Sequence, residues 1–133
     1  MNIFTYGSLM FSEVWNKVVQ GNYYSSTGML QGYRRFCVKD ECYPGLRKAE
    51  KDDWVSGIVY HDVDDHDLQR LDFFEGGYYE RVPVSISVGN FQIKSQVYII
   101  RDQYLHLATE HDWDPDDFYK KSIGDFVATY TGF

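Results

Sequence analysis

Two cysteines, three prolines and thirteen basic residues are few for a chain of 133 residues, and each scarcity excludes something. Cys37 and Cys42 do not have Cys-x-x-Cys spacing, so neither a disulfide scaffold nor a redox pair is expected. Against 20 acidic residues, the 13 basic ones leave a formal net charge of −7. That is the wrong sign for the basic footprint of a nucleic-acid binder. No apolar run approaches the roughly 18 residues of a membrane span. No charged segment followed by an apolar one opens the chain, because Met1–Tyr6 runs straight into Gly7. Internal repeats, linkers and low-complexity stretches are also missing. The expectation is one domain over residues 1–133, cytoplasmic, with reduced thiols and neither membrane nor nucleic acid as partner.

Aromatic residues are abundant, at 12 Tyr, 9 Phe and 3 Trp. Tyrosine leads, and a ring with a polar tip suits both half-buried strands and the wall of a ligand pocket. Charge is uneven along the chain. Residues 61–75 hold six acids and one Arg, and residues 110–117 hold five acids and no Lys or Arg. Basic residues gather at Arg34, Arg35 and Lys39, and at Arg47, Lys48 and Lys51. Solvated faces account for this pattern.

Periodicity and breakers give the element order. Asn2–Tyr6 reads as a strand stopped by Gly7. Ser12 can cap a helix over Glu13–Gln20 that Gly21 stops. Tyr23–Lys39 reads as a bent strand or two short ones, broken near Gly28 and Gly32, and Glu41–Asp53 as a polar loop with a turn at Tyr43-Pro44-Gly45. Trp54–Val63 is a strand. Asp64 can cap a helix over Asp65–Phe74, on which Leu68, Leu71 and Phe74 share one face before Gly76-Gly77. Glu80–Val88 and Phe91–Arg101 flank a Gly89-Asn90 hairpin turn. Asp114-Pro115-Asp116-Asp117 opens a last helix to about Val127, with Trp113 and Phe118 docking it. The order β, α, β, β, α, β, β, α lacks the alternation of a doubly wound sheet. It favours an α+β domain around a strongly curved mixed sheet or small barrel.

Two segments stand out chemically. A strand that stops at Tyr6-Gly7-Ser8-Leu9 and enters a helix leaves backbone N–H groups unpaired. Such a turn either binds a carboxylate or an oxyanion, or is an ordinary β-turn. Glu75 ends an apolar helix face beside Phe73, Phe74, Tyr78 and Tyr79. It is either a solvated residue before a glycine cap, or a carboxyl whose pKa is raised by the helix dipole and by desolvation, as a general acid or base requires. Asp72 fits a surface or capping role, and Arg81 can pair with a carboxylate of the protein or of a ligand. Tyr43-Pro44-Gly45-Leu46 is a rigid turn that presents a tyrosine, and it either rims a pocket or is a turn and nothing more. The run from His61 to Asp67 has neither calcium-loop nor His-Glu-x-x-His register, and reads as the acidic start of a helix.

Taken together, Tyr6-Gly7-Ser8-Leu9, Tyr43-Pro44-Gly45-Leu46, Gly57-Ile58-Val59-Tyr60 and Leu71-Asp72-x-x-Glu75-Gly76-x-x-Tyr79-x-Arg81 resemble the gamma-glutamylcyclotransferase-like superfamily. The branch they look most like is that of the small avirulence-induced-gene-like proteins. The resemblance implies a compact mixed β-barrel with flanking helices. It implies a cavity lined by Tyr6, Gly7, Ser8 and Leu9, with Tyr43 and Tyr79 beside it and Glu75 as the catalytic acid/base. The reaction it implies turns a small γ-glutamyl amine or dipeptide into 5-oxoproline and a free amine, without metal or organic cofactor. Leu9 after Tyr-Gly-Ser is the residue of small members and points away from a glutathione-type substrate. Three rival readings remain at this stage. One is a binding module that uses the same cavity without turnover. Another is an enzyme acting on a larger γ-glutamyl conjugate. The last is an interaction protein that works through its acidic faces.

Overall fold

A computed structural model describes residues 1–41 and 43–129. The reading of Cys42 therefore lies outside the described residues. Seven strands and four helices follow one another, joined in places by single 3-10 turns: β1 (Ile3–Thr5), α1 (Ser12–Val18), β2 (Ser25–Gln31), β3 (Tyr33–Cys37), β4 (Pro44–Lys48), β5 (Trp54–Tyr60), α2 (Asp65–Glu75), β6 (Tyr79–Val88), β7 (Phe91–Ile100), α3 (Pro115–Lys121) and α4 (Ile123–Thr129). Five strands close a barrel in the order β1-β5-β2-β6-β7, while β3 and β4 form a separate two-stranded ribbon. Among the described residues of the barrel, the β1–β7 contact that closes it is parallel and the other pairs are antiparallel. The expected mixed barrel with flanking helices is what the chain forms.

Two expectations need correction, and one open alternative is decided. Residues 44–48 form a strand, β4, rather than polar loop, because Leu46 is fully buried and pairs with Arg35 of β3. Of the two readings of residues 23–39, two short strands is the one observed: they part at Gly32, whose φ of +84° turns the chain out of the barrel and into the ribbon. The last helix is two helices. Ser122, at φ −123° and ψ −23°, leaves helical geometry and lets Phe118 and Phe126 meet edge to face at 5.7 Å. A 3-10 turn at Asp102–Leu107, for which no periodic pattern exists in the sequence, links β7 to this region.

The short strand β1 is buried along its whole length, since it lies between β5 and β7 with helices over it. Its alternation divides the core. Phe4 packs into the barrel with Leu30, Val55, Val59, Ile86 and Val97. Ile3 packs outward with Val14, Trp15, Val18, Leu68 and Leu71 of the first two helices. Trp15 stacks on Tyr60 at 3.6 Å between centroids. The run from His61 to Asp67 serves helix anchoring. Asp64 caps α2 by accepting from the Asp67 N–H, and buried Asp67 accepts from the N–H groups of Gln20 and Gly21 and from the Tyr23 hydroxyl. Burial alone would raise the Asp67 pKa, but these donors outweigh it and hold it below the ordinary carboxylate range.

Gly57 on β5 has no room for a side chain. A Cβ there would run into the Thr5 carbonyl oxygen and the Phe4 ring. Gly57→Ala therefore forces β1 and β5 apart at the strand that carries the Tyr6–Leu9 turn. A loss of about 1–3 kcal/mol is expected, or roughly 5–10 °C in Tm. A thermal melt followed by far-UV circular dichroism checks it, and an unchanged Tm would contradict this account.

Candidate functional site

All seven residues singled out from the sequence as site candidates border one cavity of about 300 Å³: Tyr6, Gly7, Ser8, Leu9, Tyr43, Glu75 and Tyr79. The volume is at the small end for ligand sites. Each segment arrives from a different element, so the meeting is a property of the fold. Tyr6–Leu9 is where β1 leaves the barrel and turns into a 3-10 turn. Tyr43 directly precedes β4 and Pro44 starts it, Glu75 ends α2, and Tyr79 begins β6.

The Tyr6–Leu9 turn is fixed from several sides. The Arg35 guanidinium donates to the Tyr6 carbonyl at 3.1 Å, and the Tyr60 hydroxyl to the Leu9 carbonyl at 3.3 Å. Within the turn, the N–H groups of Met10 and Phe11 bond to the carbonyls of Gly7 and Ser8. The N–H groups of Ser8 and Leu9 precede the first such bond, where a helical turn leaves donors free for other partners. Gly7 packs against Pro44, and a Cβ at Gly7 would sit 2.7 Å from Pro44 Cγ. The first and second motif segments thus touch.

The tyrosines brace the walls. Tyr79 donates its hydroxyl to the Pro44 carbonyl at 2.7 Å, and its ring lies 6.5 Å from that of Tyr43. Tyr6 donates to the Tyr98 carbonyl at 2.6 Å. Burial pushes both phenols well above their ordinary range, and the neighbouring Glu75 carboxyl adds to the shift. Both therefore stay neutral at any physiological pH.

Glu75 is the last residue of α2, before Gly76, which caps the helix at φ +78°. That is the negative end of the helix dipole. Phe74, Tyr78, Tyr79 and Phe126 line the cavity with it. Among the described residues its carboxyl receives no side-chain hydrogen bond, and burial raises its pKa to about 8, with Asp72 adding to the shift. Of the two readings open for Glu75, the desolvated carboxyl is the one the surroundings match.

Asp72 is exposed, as expected of a surface residue, and it is also firmly partnered. It accepts from the Tyr98 hydroxyl at 2.6 Å and pairs with Arg81 at 2.9 Å. Phe4, Thr5, Tyr98 and Phe126 complete the cavity wall and were not foreseen. Tyr98 carries a usable signal, because the Gly89-Asn90 hairpin register sets it directly opposite Arg81. Phe126 comes from the tail helices and has no local signal. His61 lies away from the cavity, bonded to the Ser26 hydroxyl at 2.8 Å. Among the described residues no three His, Cys, Asp or Glu side chains converge as metal ligands, and no helix is long and apolar enough to cross a membrane.

Comparison with known proteins bears on the family and the fold. The family model described as gamma-glutamyl cyclotransferase, AIG2-like, matches residues 3–115. AIG2-like protein D of Arabidopsis thaliana is 33% identical over 131 residues, which span 95% of this chain and 84% of that protein. A solution structure of an Arabidopsis thaliana protein superposes with a TM-score of 0.71 at 27% identity, covering 96% of this chain and 86% of the other. A structure described as a gamma-glutamyl cyclotransferase superposes with a TM-score of 0.67, covering 99% of this chain and 91% of the other; at 16% identity the likeness is one of fold.

Proposed function

Since the chain belongs to the gamma-glutamyl cyclotransferase, AIG2-like family, we propose that it cyclises a γ-glutamyl amine or γ-glutamyl dipeptide to 5-oxoproline and a free amine, with Glu75 as general acid and base. The observation that carries this reading is that a desolvated carboxyl and the Tyr6–Leu9 turn border one cavity.

The chemistry is intramolecular. The α-amine of the γ-glutamyl group attacks its own γ-carbonyl carbon, a five-membered ring forms, and the bond to the leaving nitrogen breaks. Effective molarity is high from the start, so the protein's task is proton traffic and charge stabilisation. An ammonium cannot attack. On its way to the lactam the attacking nitrogen gives up two protons, and the leaving nitrogen takes up two on its way to an ammonium. Glu75 accepts from the first and donates to the second.

The hydroxyl protons of Tyr6 and Tyr79 are committed to the carbonyls of Tyr98 and Pro44. Toward a ligand their oxygens act as acceptors, which suits the substrate ammonium. The developing oxyanion or the α-carboxylate falls to the N–H groups at Gly7, Ser8 and Leu9. Tyr43 edges the space left for the leaving amine.

The test is 5-oxoproline release from a panel of γ-glutamyl amines and dipeptides. Saturable binding across the panel without release would replace the enzyme with a binding module. The pH profile is a second test. Glu75 must start as carboxylate to take a proton, and its pKa lies at about 8. The expected kcat/KM rises through pH about 8 and falls again where the substrate ammonium is lost. A flat profile between about pH 6 and 9 would remove Glu75 from the proton path.

A further inference from the structure

Asp72 lies one helical turn before Glu75 on α2. Both of its oxygens are held from the barrel. Arg81 of β6 donates through Nε to Oδ1 at 2.9 Å and through Nη2 to Oδ2 at 3.2 Å. Tyr98 of β7 donates its hydroxyl to Oδ1 at 2.6 Å. Arg81 and Tyr98 are direct partners in the β6–β7 ladder, so a registered cross-strand pair grips one carboxylate. Tyr98 also lines the cavity, and its carbonyl holds the Tyr6 hydroxyl.

An exposed ion pair on a helix surface is ordinarily worth little. This one is bidentate and shares an oxygen with a short phenol bond, the geometry of strong charge-assisted pairing.

Among the described residues, the cavity wall around Glu75 brings no full charge of its own. It presents Tyr6 and Ser8 from the turn after β1, Tyr43 ahead of β4, Tyr79 at the start of β6, Tyr98 from β7 and Phe126 from α4. Arg35 reaches the Tyr6 carbonyl, on the main chain of that wall. Among the described residues, Asp72 is the charged group that acts on Glu75, and Arg81 is its counter-ion.

We propose that Asp72 is a positioning residue for Glu75. Clamped by Arg81 and Tyr98, it holds the last turn of α2 over the cavity and sets the charge state in which Glu75 meets a ligand. The proposal rests on the acid/base reading of Glu75, but its central effect is measurable without turnover.

Asp72→Asn removes a negative charge one turn away, so the Glu75 titration midpoint falls by about one pH unit. Arg81→Gln leaves the Asp72 charge uncompensated, and the midpoint rises by a similar amount. Arg81→Lys keeps the cation and loses the fork. The midpoint then stays within a few tenths of wild type, while kcat drops several-fold from the loosened clamp.

The experiment is an NMR titration of the Glu75 carboxyl carbon in the full chain and in each variant, run beside the pH profile of 5-oxoproline release. Midpoints that move in opposite directions for Asp72→Asn and Arg81→Gln, with the profiles following, support the proposal. A midpoint common to all variants overturns it. Midpoints that move while the profile stays put support the role of Asp72 and count against Glu75 as acid and base. If Asp72→Asn fails to fold, the contrast between Arg81→Gln and Arg81→Lys decides alone.

Discussion

Glu75→Gln is expected to lower 5-oxoproline release by about 10²–10⁴-fold, the usual contribution of a positioned acid or base. The amide keeps the shape and volume of the side chain at the end of α2, so the barrel and both apolar clusters should persist. What is lost is the ability to carry a proton between two nitrogens. Ring closure itself is intramolecular and stays available, which is why a residual rate above the uncatalysed reaction is expected. Binding should survive, because the backbone of Gly7–Leu9 and the oxygens of Tyr6 and Tyr79 are untouched. The informative measurement is therefore a pair: turnover by 5-oxoproline formation, and affinity for a non-cyclising γ-glutamyl analogue. Collapsed turnover with affinity held within a few-fold identifies the proton carrier. A variant that releases 5-oxoproline at the wild-type rate ends the mechanism proposed above. A variant that loses turnover and affinity together would mean that Glu75 holds the substrate more than it catalyses.

The parts of this fold that could be read from the sequence are those written in local chemistry. Asp64 at a cap, Gly76 after the last turn and Gly89-Asn90 between two β-rich runs each specify backbone geometry within a few residues. The β6–β7 hairpin and α2 follow from them with ends correct to about a residue. β4 was missed because its burial pattern belongs to the ribbon. Only Pro44, Gly45 and Leu46 are covered, while Arg47 and Lys48 face solvent, so no alternation spans the strand. The break at Ser122 was missed for a related reason. A sequence with Asp114, Pro115 and helix formers specifies a start, whereas the stop is imposed by Phe118 and Phe126 finding each other and the first helix.

The candidate site was legible for a different reason. Its residues sit at element ends, where a glycine or a proline marks the sequence: Gly7 after Tyr6, Pro44 after Tyr43, Gly76 after Glu75. What could not be read was the set of groups that reach the cavity from element middles. Tyr98 sits well inside β7, and Asp72 is a helix residue whose partners lie on two other strands. One-dimensional patterns report which face a residue is on, and a three-way contact among a helix and two strands is written only in the register between them. That register is available from the Gly89-Asn90 turn for Arg81 and Tyr98. For α2 it depends on how the helix lies against the barrel, which no local signal gives.

The carboxyl that suits the chemistry should cost the fold stability, and the cost should depend on pH with a definite sign. Glu75 titrates at about 8 in the folded chain against an ordinary value of 4.5. Below pH about 4.5 it is protonated in both states and contributes no penalty. Between these two values the unfolded chain releases the proton while the folded chain keeps it. The native state then binds more protons, and stability must fall as pH rises, at up to about 1.4 kcal/mol per pH unit. Above pH about 8 both states are ionised and the loss is complete, on the order of a few kcal/mol. Glutamine at this position has no proton to hold. Glu75→Gln is accordingly expected to match wild type near pH 4.5 and to exceed it by roughly ten degrees in Tm near pH 8.5. Asp67 pulls the other way and does not mask the effect. Its lowered pKa gives stability that is present above the ordinary carboxylate range and lost as pH falls through the folded value, and both proteins share it. Melts of the two proteins across this range, taken as the difference in Tm, isolate the Glu75 contribution. A difference that does not grow with pH would mean that the carboxyl ionises freely in the folded chain. It would then be no better placed to move protons near neutrality than any surface glutamate. A difference that grows in this window, in a variant that has also lost turnover, would tie the instability to the group that the proposed reaction needs.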